Sequence, residues 1–514
     1  GLEAFSLAQL NDRAQKYGAA SRESFEKGYG SEVGIDTSVL PAHPGDGSTI
    51  CMTRCKCRWS IDILSKENGD FNCTWTLGDA EHCVAGGVMV HTAKGSHTVR
   101  RAYNEGIKEI HTGDALQRTN GVVMSGKKSC VTVKTTFGYE LTCTVDHELR
   151  YWDPTDQQIK WGAVEDVEQL INDGLSPKVV MKRGYNWKPR VSPCFDLQEF
   201  MGYMDGNGHV TELSRTYSDG TPKRQVGYTI PKRYESILDR YQQAVSQVFG
   251  FTFNVTEHSE SDEVWHVRSG HRKIGQWAAS EKLKQGQVPP RIRSATPGRQ
   301  ASYLRGLFDA DGHVDQRGMI VTLSSAERRF IREIQDLLFG LGILSKFRKS
   351  TRGTNYKEDR VLYTLRLLGG PNLQRFIDRV GFGCGEKREK LNEPERDYTT
   401  GDTYPLGWKR RKSFPTLQRN INQAVEDASS PKTRQRYKKI QRWVKKELFF
   451  AEIDEIQSVG EREVYDVTDS PTNAFLANGF VVHNCDTCLR RAMEWVQLEV
   501  RANQLRSDPE PIFA

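Results

Sequence analysis

Two short segments carry acidic or amide side chains just ahead of a glycine. They read Phe200-Met-Gly-Tyr-Met-Asp-Gly-Asn-Gly-His-Val210 and Leu304-Arg-Gly-Leu-Phe-Asp-Ala-Asp-Gly-His-Val314. The copies stand 104 residues apart, a domain-sized spacing, so they mark a duplicated module and not a short solenoid repeat. Each reads as an apolar helix with small residues four apart, Gly202/Gly206 and Gly306/Ala310, which lets two helix backbones approach closely. Pairing the helices would set their terminal polar side chains side by side. Two carboxylates so placed can hold Mg²⁺ between opposed phosphates of a duplex. A calcium loop is excluded, because its sixth position must be Gly and here it is Val210 and Val314.

A second constellation spans most of the chain. Cys83-Val-Ala-Gly-Gly-Val-Met-Val90 joins a thiol to a β-prone run, and Gly138-Tyr-Glu-Leu-Thr-Cys-Thr144-Val-Asp-His147 supplies a hydroxyl and an imidazole. Val464-Tyr-Asp466-Val-Thr follows, then Phe475-Leu-Ala-Asn-Gly-Phe-Val-Val-His483-Asn484-Cys485. These are the residue types of nucleophilic and acid–base chemistry. Each piece alone is weak, Thr-x-x-His above all; four in order, opened by Cys and closed by His-Asn-Cys, are specific.

The duplicated pair resembles the two signature helices of LAGLIDADG homing endonucleases over roughly residues 192–391. Val288-Pro289-Pro290 and Leu337-Leu338-x-x-Leu341-Gly342-Ile343 supply supporting context. The resemblance implies an α+β, duplicated, pseudo-two-fold nuclease that uses Mg²⁺ on double-stranded DNA. Its metal-binding acid is the eighth motif position, which is Asp311 in the second copy and Asn207 in the first. An amide is a poorer ligand for a hard cation than a carboxylate. Asp205 lies two residues earlier, about 200° around the helix, and is not assumed to replace it; full, nicking and lost cleavage all stay open. The family also uses a basic residue near each site, and Lys284 and Lys387 are the candidates.

The four ordered blocks resemble those of inteins, Hint-fold protein-splicing elements. The resemblance implies that Cys83 turns the His82–Cys83 amide into a thioester, with Thr144 polarising the scissile unit and His147 protonating the departing nitrogen. Cys485 then attacks the thioester, Asn484 cyclises with help from His483, and Asp466 serves as an acid/base. An S-to-N shift leaves a His82–Cys485 peptide bond, and splicing needs no cofactor. Two positions depart from the family: Asn473 stands where a His is common, and Gly87 where an acid is. Neither makes or breaks a bond, so splicing competence is expected. The alternative is that Cys83 and Cys485 are ordinary core or metal thiols.

The elements that must position these residues imply a nested, multidomain chain. An all-β, horseshoe-like Hint body is expected from residues 83–185 and 450–484, with the endonuclease at 186–400. A basic arm at 401–449 and host segments at 1–82 and 485–514 complete it. Between positions 409 and 446 there are thirteen Lys/Arg against Glu426 and Asp427, a net of +11 within a chain of net +7, so the remainder sums to about −4. The arm's Lys409, Arg410, Arg411, Lys412, Arg434, Arg436, Lys438, Lys439, Arg442, Lys445 and Lys446 are expected to contact DNA phosphates. Tyr437 and Trp443 are interleaved for stacking, and Tyr437, Ile440, Val444 and Leu448 carry a helical period.

The 112 flanking residues, once joined, bring His82, Cys485 and Cys488 to Cys51, Cys55 and Cys57, enough for a zinc site. Free thiols are the rival reading. The joined sequence loosely resembles the Cys-rich tails of phage head-morphogenesis (minor head) proteins, which implies a phage head assembly as partner and a virion-associated product. The 514 residues are 37% hydrophobic and 27% charged, with a mean hydropathy of −0.63. No apolar run approaches the roughly 18–20 residues of a membrane span. Eleven cysteines, an odd count, and a start without an apolar core point to a reducing cytoplasm. A zinc-binding structural protein with an inactive insertion is the second reading of the whole.

Overall fold

The computed structural model describes residues 58–65, 70–76, 83–185, 196–258, 261–315, 320–353, 359–368, 370–391, 403–405, 408–409, 421–468 and 472–484. Cys51, Cys55, Cys57, His82, Cys485, Cys488, Arg410, Arg411 and Lys412 lie outside these, and with them the zinc reading. Of the first flank, Arg58–Ser65 and Asp70–Thr76 pair as an antiparallel hairpin. No described helix is long and apolar enough to cross a membrane.

Two stretches far apart in sequence build one body. From the first come β1 (Val84–Ala85), β2 (Met89–Thr92), β3 (Gly121–Thr135), β4 (Glu140–Thr144), β5 (Glu148–Asp153) and β6 (Lys178–Lys182). The second stretch supplies strands Leu448–Thr468, Ala474–Ala477 and Phe480–His483. Valines and threonines alternate in β3, which suits a half-buried ribbon. It pairs antiparallel with Leu448–Thr468 from Ile453↔Thr135 to Thr468↔Gly121, with three register slips that bend the long ribbon. Strand β6 pairs with the same long strand at Val180↔Phe450, and β5 meets the last strand at Leu149↔Val482. Thirteen described strands form this one sheet. Val84, Val133, Leu141, Phe449, Phe475 and Val482 are fully or almost fully buried in its core.

The insert between them folds around its own core. Helix α1 (Asp196–Asn207) leads into β7 (Gly208–Thr216), β8 (Pro222–Pro231), β9 (Asn254–His258) and β10 (Ser261–Ser269). Helix α2 (Pro297–Asp311) leads into β11 (His313–Val314) and β12 (Ile320–Ser325). Next come α3 (Arg328–Gly340), β13 (Lys346–Gly353), β14 (Asp359–Leu368) and α4 (Gly370–Arg379). The two sheets repeat one strand order, β7-β8-β10-β9 and β11-β12-β14-β13.

The helices meet backbone to backbone. A Cβ on Gly202 would stand 1.9 Å from Tyr303 O, and one on Gly306 1.8 Å from Glu199 O. Glycine is therefore required at this crossing, although it costs a helix about 1 kcal/mol. Phe200, Met204, Leu304, Leu307 and Phe308 fill the core on either side, each contributing roughly 1.5–3 kcal/mol by burial.

The basic arm contains α5 (Pro431–Lys445), capped by Ser430 Oγ, which accepts the Thr433 N–H at 3.1 Å. Its Ile440, Trp443 and Val444 are buried against Trp152, Phe450, Leu476 and Val481 of the outer body. Two expectations change. Leu448 begins β15 (Leu448–Thr468) and does not extend the helix. Trp443 packs on Phe450 at 5.0 Å and on Trp152 at 5.4 Å; positions 440, 443 and 444 share one helical face, so Trp443 belongs to the core and does not stack on a ligand. Arg434, Arg436, Lys438, Lys439, Arg442, Lys445 and Lys446 are exposed on the opposite side, Lys446 pairing with Asp114 at 3.0 Å. Lys409 lies in the short strand Trp408–Lys409.

Candidate functional site

In the outer body, the residue before β1 is held by the turn after β4. Cys83 is buried. Its N–H donates to Thr144 Oγ1 at 3.3 Å, and Thr144 N–H donates to Cys83 O at 3.0 Å. The nitrogen of the His82–Cys83 bond is thus engaged by the Thr144 hydroxyl. His147 closes the same turn, donating its N–H to Thr144 O at 3.1 Å, and its ring is fully buried. Cys130 and Cys143 are buried nearby. Burial raises both thiols above their ordinary range.

The other end converges on the same place. Strands β16 (Ala474–Ala477) and β17 (Phe480–His483) form a hairpin through Asn478 and Gly479, both at positive φ. That is the geometry of a tight hairpin turn. The hairpin delivers Asn484, fully buried, whose Nδ2 donates to Val467 O at 3.0 Å. Val84, next to Cys83, stands opposite Tyr465. Tyr465 and Val467 flank Asp466, a buried carboxylate whose Oδ1 accepts the Val467 N–H at 2.8 Å. Cys83, through Val84, and Asn484, through Val467, are thus both tied to the short stretch of the long strand that holds Asp466. Cys485 lies outside the described residues.

Asn473 sits at φ +52 and accepts the Asn484 N–H on its carbonyl at 3.2 Å. His483 lies with Nδ1 3.9 Å from Glu148 Oε2, and its ring is edge-on to Trp161 at 5.2 Å. Glu148 and Trp161 were not legible as site residues, because neither belongs to an ordered block and only strand pairing places them.

In the insert, the two helix ends repeat one arrangement. Asp205 accepts the Lys284 N–H and the Tyr303 hydroxyl, both at 2.7 Å. Asp309 accepts the N–H groups of Gly383 and Cys384 at 3.0 and 3.1 Å. Burial lifts each of these carboxyls to about 6. They anchor the loops that carry the two lysines. Lys284 Nζ donates to Asp205 O and Gly206 O at 3.0 and 2.7 Å. Lys387 Nζ donates to Phe308 O and Asp309 O at 3.0 and 2.6 Å. Lys284 is held at φ +57, a left-handed conformation stabilised by its N–H bond to Asp205.

Asp311 is exposed at the end of α2. Crowding by protein raises its carboxyl, while the charges of Lys284 and Lys387 both pull it down. A Cβ on Gly206 would stand 3.3 Å from Asp311 Cγ, which places this carboxylate against the end of α1. Asn207 is exposed and its Nδ2 donates to Thr229 O at 2.8 Å and to Thr229 Oγ1 at 3.0 Å. An aspartate there would point an acceptor at a carbonyl. The amide suits that contact and leaves Oδ1 as an acceptor.

Beyond the helix ends, the two sheets present matching polar rows. Val226 and Tyr228 face the core, so Gly227 faces away. A Cβ there would stand 2.6 Å from His209 Cε1 and 2.9 Å from Arg268 Cγ. The register lines up Asn254, Arg268, Gly227 and His209 in one sheet. In the other it lines up Lys346, Arg366, Thr322 and His313. Sequence reasoning missed these rows; alternation along the strands signals a solvated face but not its partner.

Asp311 and Asn207 supply a carboxylate and an amide oxygen, the hard donors that Mg²⁺ prefers. Among the described residues no cluster of three or more His, Cys, Asp or Glu could hold a metal ion. Two such donors would leave most positions around a cation to phosphate and water.

Residues 299–381 match the family model described as a LAGLIDADG-like domain. The chain is 23% identical over 350 residues to a replication factor C small subunit of Methanocaldococcus jannaschii, covering 65% of this chain and 17% of that protein. It is 32% identical over 136 residues to a probable translation initiation factor IF-2 of Thermococcus kodakarensis, covering 26% and 11%. The chain thus spans well under a third of the length of these curated relatives. Among solved structures, it resembles the homing endonuclease I-DmoI in complex with DNA and Mn at 15% identity and a TM-score of 0.28, over 36% of this chain and 96% of that one. It also resembles an Ssp DnaB mini-intein variant at 8% identity and a TM-score of 0.23, over 78% and 98%.

Proposed function

We propose that residues 83–484 form a self-splicing intein that carries a LAGLIDADG DNA homing endonuclease. What supports this reading is that Val84, next to Cys83, pairs with Tyr465 while Asn484 bonds Val467, the two neighbours of Asp466. Two residues 401 apart in sequence, each of a type able to break its own chain, are anchored within three residues of one strand. The partial relatives point the same way. A replication factor subunit, an initiation factor and an aminotransferase name unrelated activities, yet each is matched over 11–27% of its length; a shared insert accounts for that pattern.

In the splicing step, the Cys83 thiol attacks the preceding carbonyl, and Thr144 Oγ1 stabilises the scissile nitrogen while His147 supplies its proton. Cys485 takes the acyl group, and Asn484 cyclises and releases it. In the nuclease, Asp311 and the Asn207 Oδ1 would hold Mg²⁺, which supplies charge neutralisation at a phosphate. Lys284 and Lys387 place positive charge at the same point, and the outward rows of the two sheets with the exposed face of α5 contact duplex DNA. The intein-less host gene is the substrate in this reading. The joined flanks, with Cys51, Cys55, Cys57, His82, Cys485 and Cys488, form a host protein of the zinc-binding, phage head type.

The test is to express the chain and weigh the products. A ligated 112-residue host and a 402-residue fragment are expected, both abolished by Cys83→Ala with Asn484→Ala; an intact parental chain after long incubation sinks the reading. A plasmid bearing the joined host sequence, incubated with Mg²⁺, is expected to give nicked circles ahead of linear DNA, because one site lacks a carboxylate.

A further inference from the structure

The last chemical step leaves a question about protons. The position where the resembled family often has a His is Asn473, and its carbonyl is occupied by the Asn484 N–H. From β5 comes Glu148, with Oε2 3.9 Å from His483 Nδ1 and side chains only 22% and 11% exposed. From β16 the partner is Ala474, which carries no charge. From β15 the nearest acid in sequence to the Asn484 contact is Asp466, whose Oδ1 accepts the Val467 N–H. Arg150 stands over the Trp161 ring at 5.7 Å, and the same ring lies 5.2 Å from that of His483. Strand pairing of Leu149 with Val482 fixes Glu148 and His483 at the next position along.

We propose that Glu148 is a positioning residue for the cyclisation of Asn484, orienting the His483 imidazole and strengthening it as a base. The proposal rests on the reading of Asn484 as the cyclising residue. At 3.9 Å the Glu148 carboxylate is beyond hydrogen-bond reach of Nδ1, and it acts through its field, which favours the tautomer with its proton on Nδ1 and leaves Nε2 as the acceptor. Asn484 Nδ2 attacks its own backbone carbonyl carbon, forming a five-membered imide. The proton leaving Nδ2 passes to His483 Nε2 and then to the nitrogen of Cys485 as the Asn484–Cys485 bond breaks. The products are a C-terminal imide and a free amine, with no change in oxidation state. Trp161 packs edge-on against the imidazole at 5.2 Å. Glu148 thereby tunes His483, the proton-handling group that remains where Asn473 supplies none.

The experiment uses the full chain with Cys83→Ala, in which cleavage after Asn484 is the reaction left to follow, with rates read by mass spectrometry across pH. Glu148→Gln is expected to slow cleavage about tenfold and to move the midpoint of the pH profile downward, because loss of the carboxylate weakens the base. Glu148→Asp is expected to restore most of the rate. Parental cleavage with an indifferent Glu148→Gln variant overturns the proposal and leaves the splicing reading standing. Absence of cleavage at any pH in the Cys83→Ala parent overturns both. With Cys83 intact, loss of thiol-induced scission before Cys83 in Glu148→Gln would make Glu148 a structural residue, which also overturns the proposal.

Discussion

Phe339 belongs by sequence to the insert, as part of α3, yet its ring lies in the core of the outer body. It is 1% exposed, with ring centroids 4.7 Å from Tyr139 and 6.4 Å from Tyr185. A Cβ on Gly479 would stand 2.4 Å from Phe339 Cε1, so the ring presses on the turn that joins β16 and β17. Replacing Phe339 by Ala removes the ring from water-free contact and leaves a cavity, at a cost of about 3–5 kcal/mol. Against a typical domain stability of about 5–15 kcal/mol, that is a large share. The loss should fall on the hairpin that delivers His483 and Asn484, in the body the insert was never part of by sequence. Hydrogen exchange of a chain locked by Cys83→Ala and Asn484→Ala tests this. Protection over 474–483 is expected to drop by roughly two to four orders of magnitude, and splicing of the unlocked variant should slow. Protection of 474–483 within twofold of the parent, with loss confined to 328–340, would refute the reasoning, since Phe339 would then stabilise the insert alone.

Gly306→Ala forces a methyl against Glu199 O and should cost the insert at least about 1–3 kcal/mol, lowering its melting point and abolishing DNA cleavage; parental melting would count against the backbone crossing. Asn207→Asp adds the missing carboxylate, so nicked plasmid should convert to linear product at fixed Mg²⁺, and a fall in all cleavage would show that the Thr229 contact outweighs the added ligand. Changing Lys438, Lys439 and Lys445 to Gln should lower the salt slope of DNA affinity by about 2–3, near 0.9 per phosphate contact; an unchanged slope removes α5 from the DNA surface. Burial lifts the Asp336 carboxyl to about 7 from an ordinary 3.8, opposed by its bond from the Tyr185 hydroxyl. The folded chain then binds this proton more tightly than the unfolded one, so the contribution is full below about pH 4 and lost as pH rises to about 7. Asp336→Asn should flatten that slope in urea unfolding of the locked chain, and an unaltered slope would assign it to other groups.

What the sequence by itself determined was local. Glycines four apart announced a close helix pair because a side chain there has nowhere to go, as Gly202 and Gly306 show. Cys83, Thr144, His147 and Asn484 announced themselves as ordered blocks, and the charge run at 409–446 announced a basic face. The amide at position 207 was visible too, but its contact with Thr229 was not. Everything that depended on register across distant strands was decided by the tertiary structure. Tyr465 and Val467, the neighbours of Asp466, became the two anchor points because β15 pairs with β1 while the β16–β17 hairpin folds Asn484 onto Val467. Glu148 met His483 because β5 lies beside β17. Trp443 read as a stacking surface until the helix placed it on the same stripe as Ile440 and Val444. Phe339 read as insert until packing carried it into the other core. Periodicity says which face of an element is buried; the three-dimensional fold alone says against what.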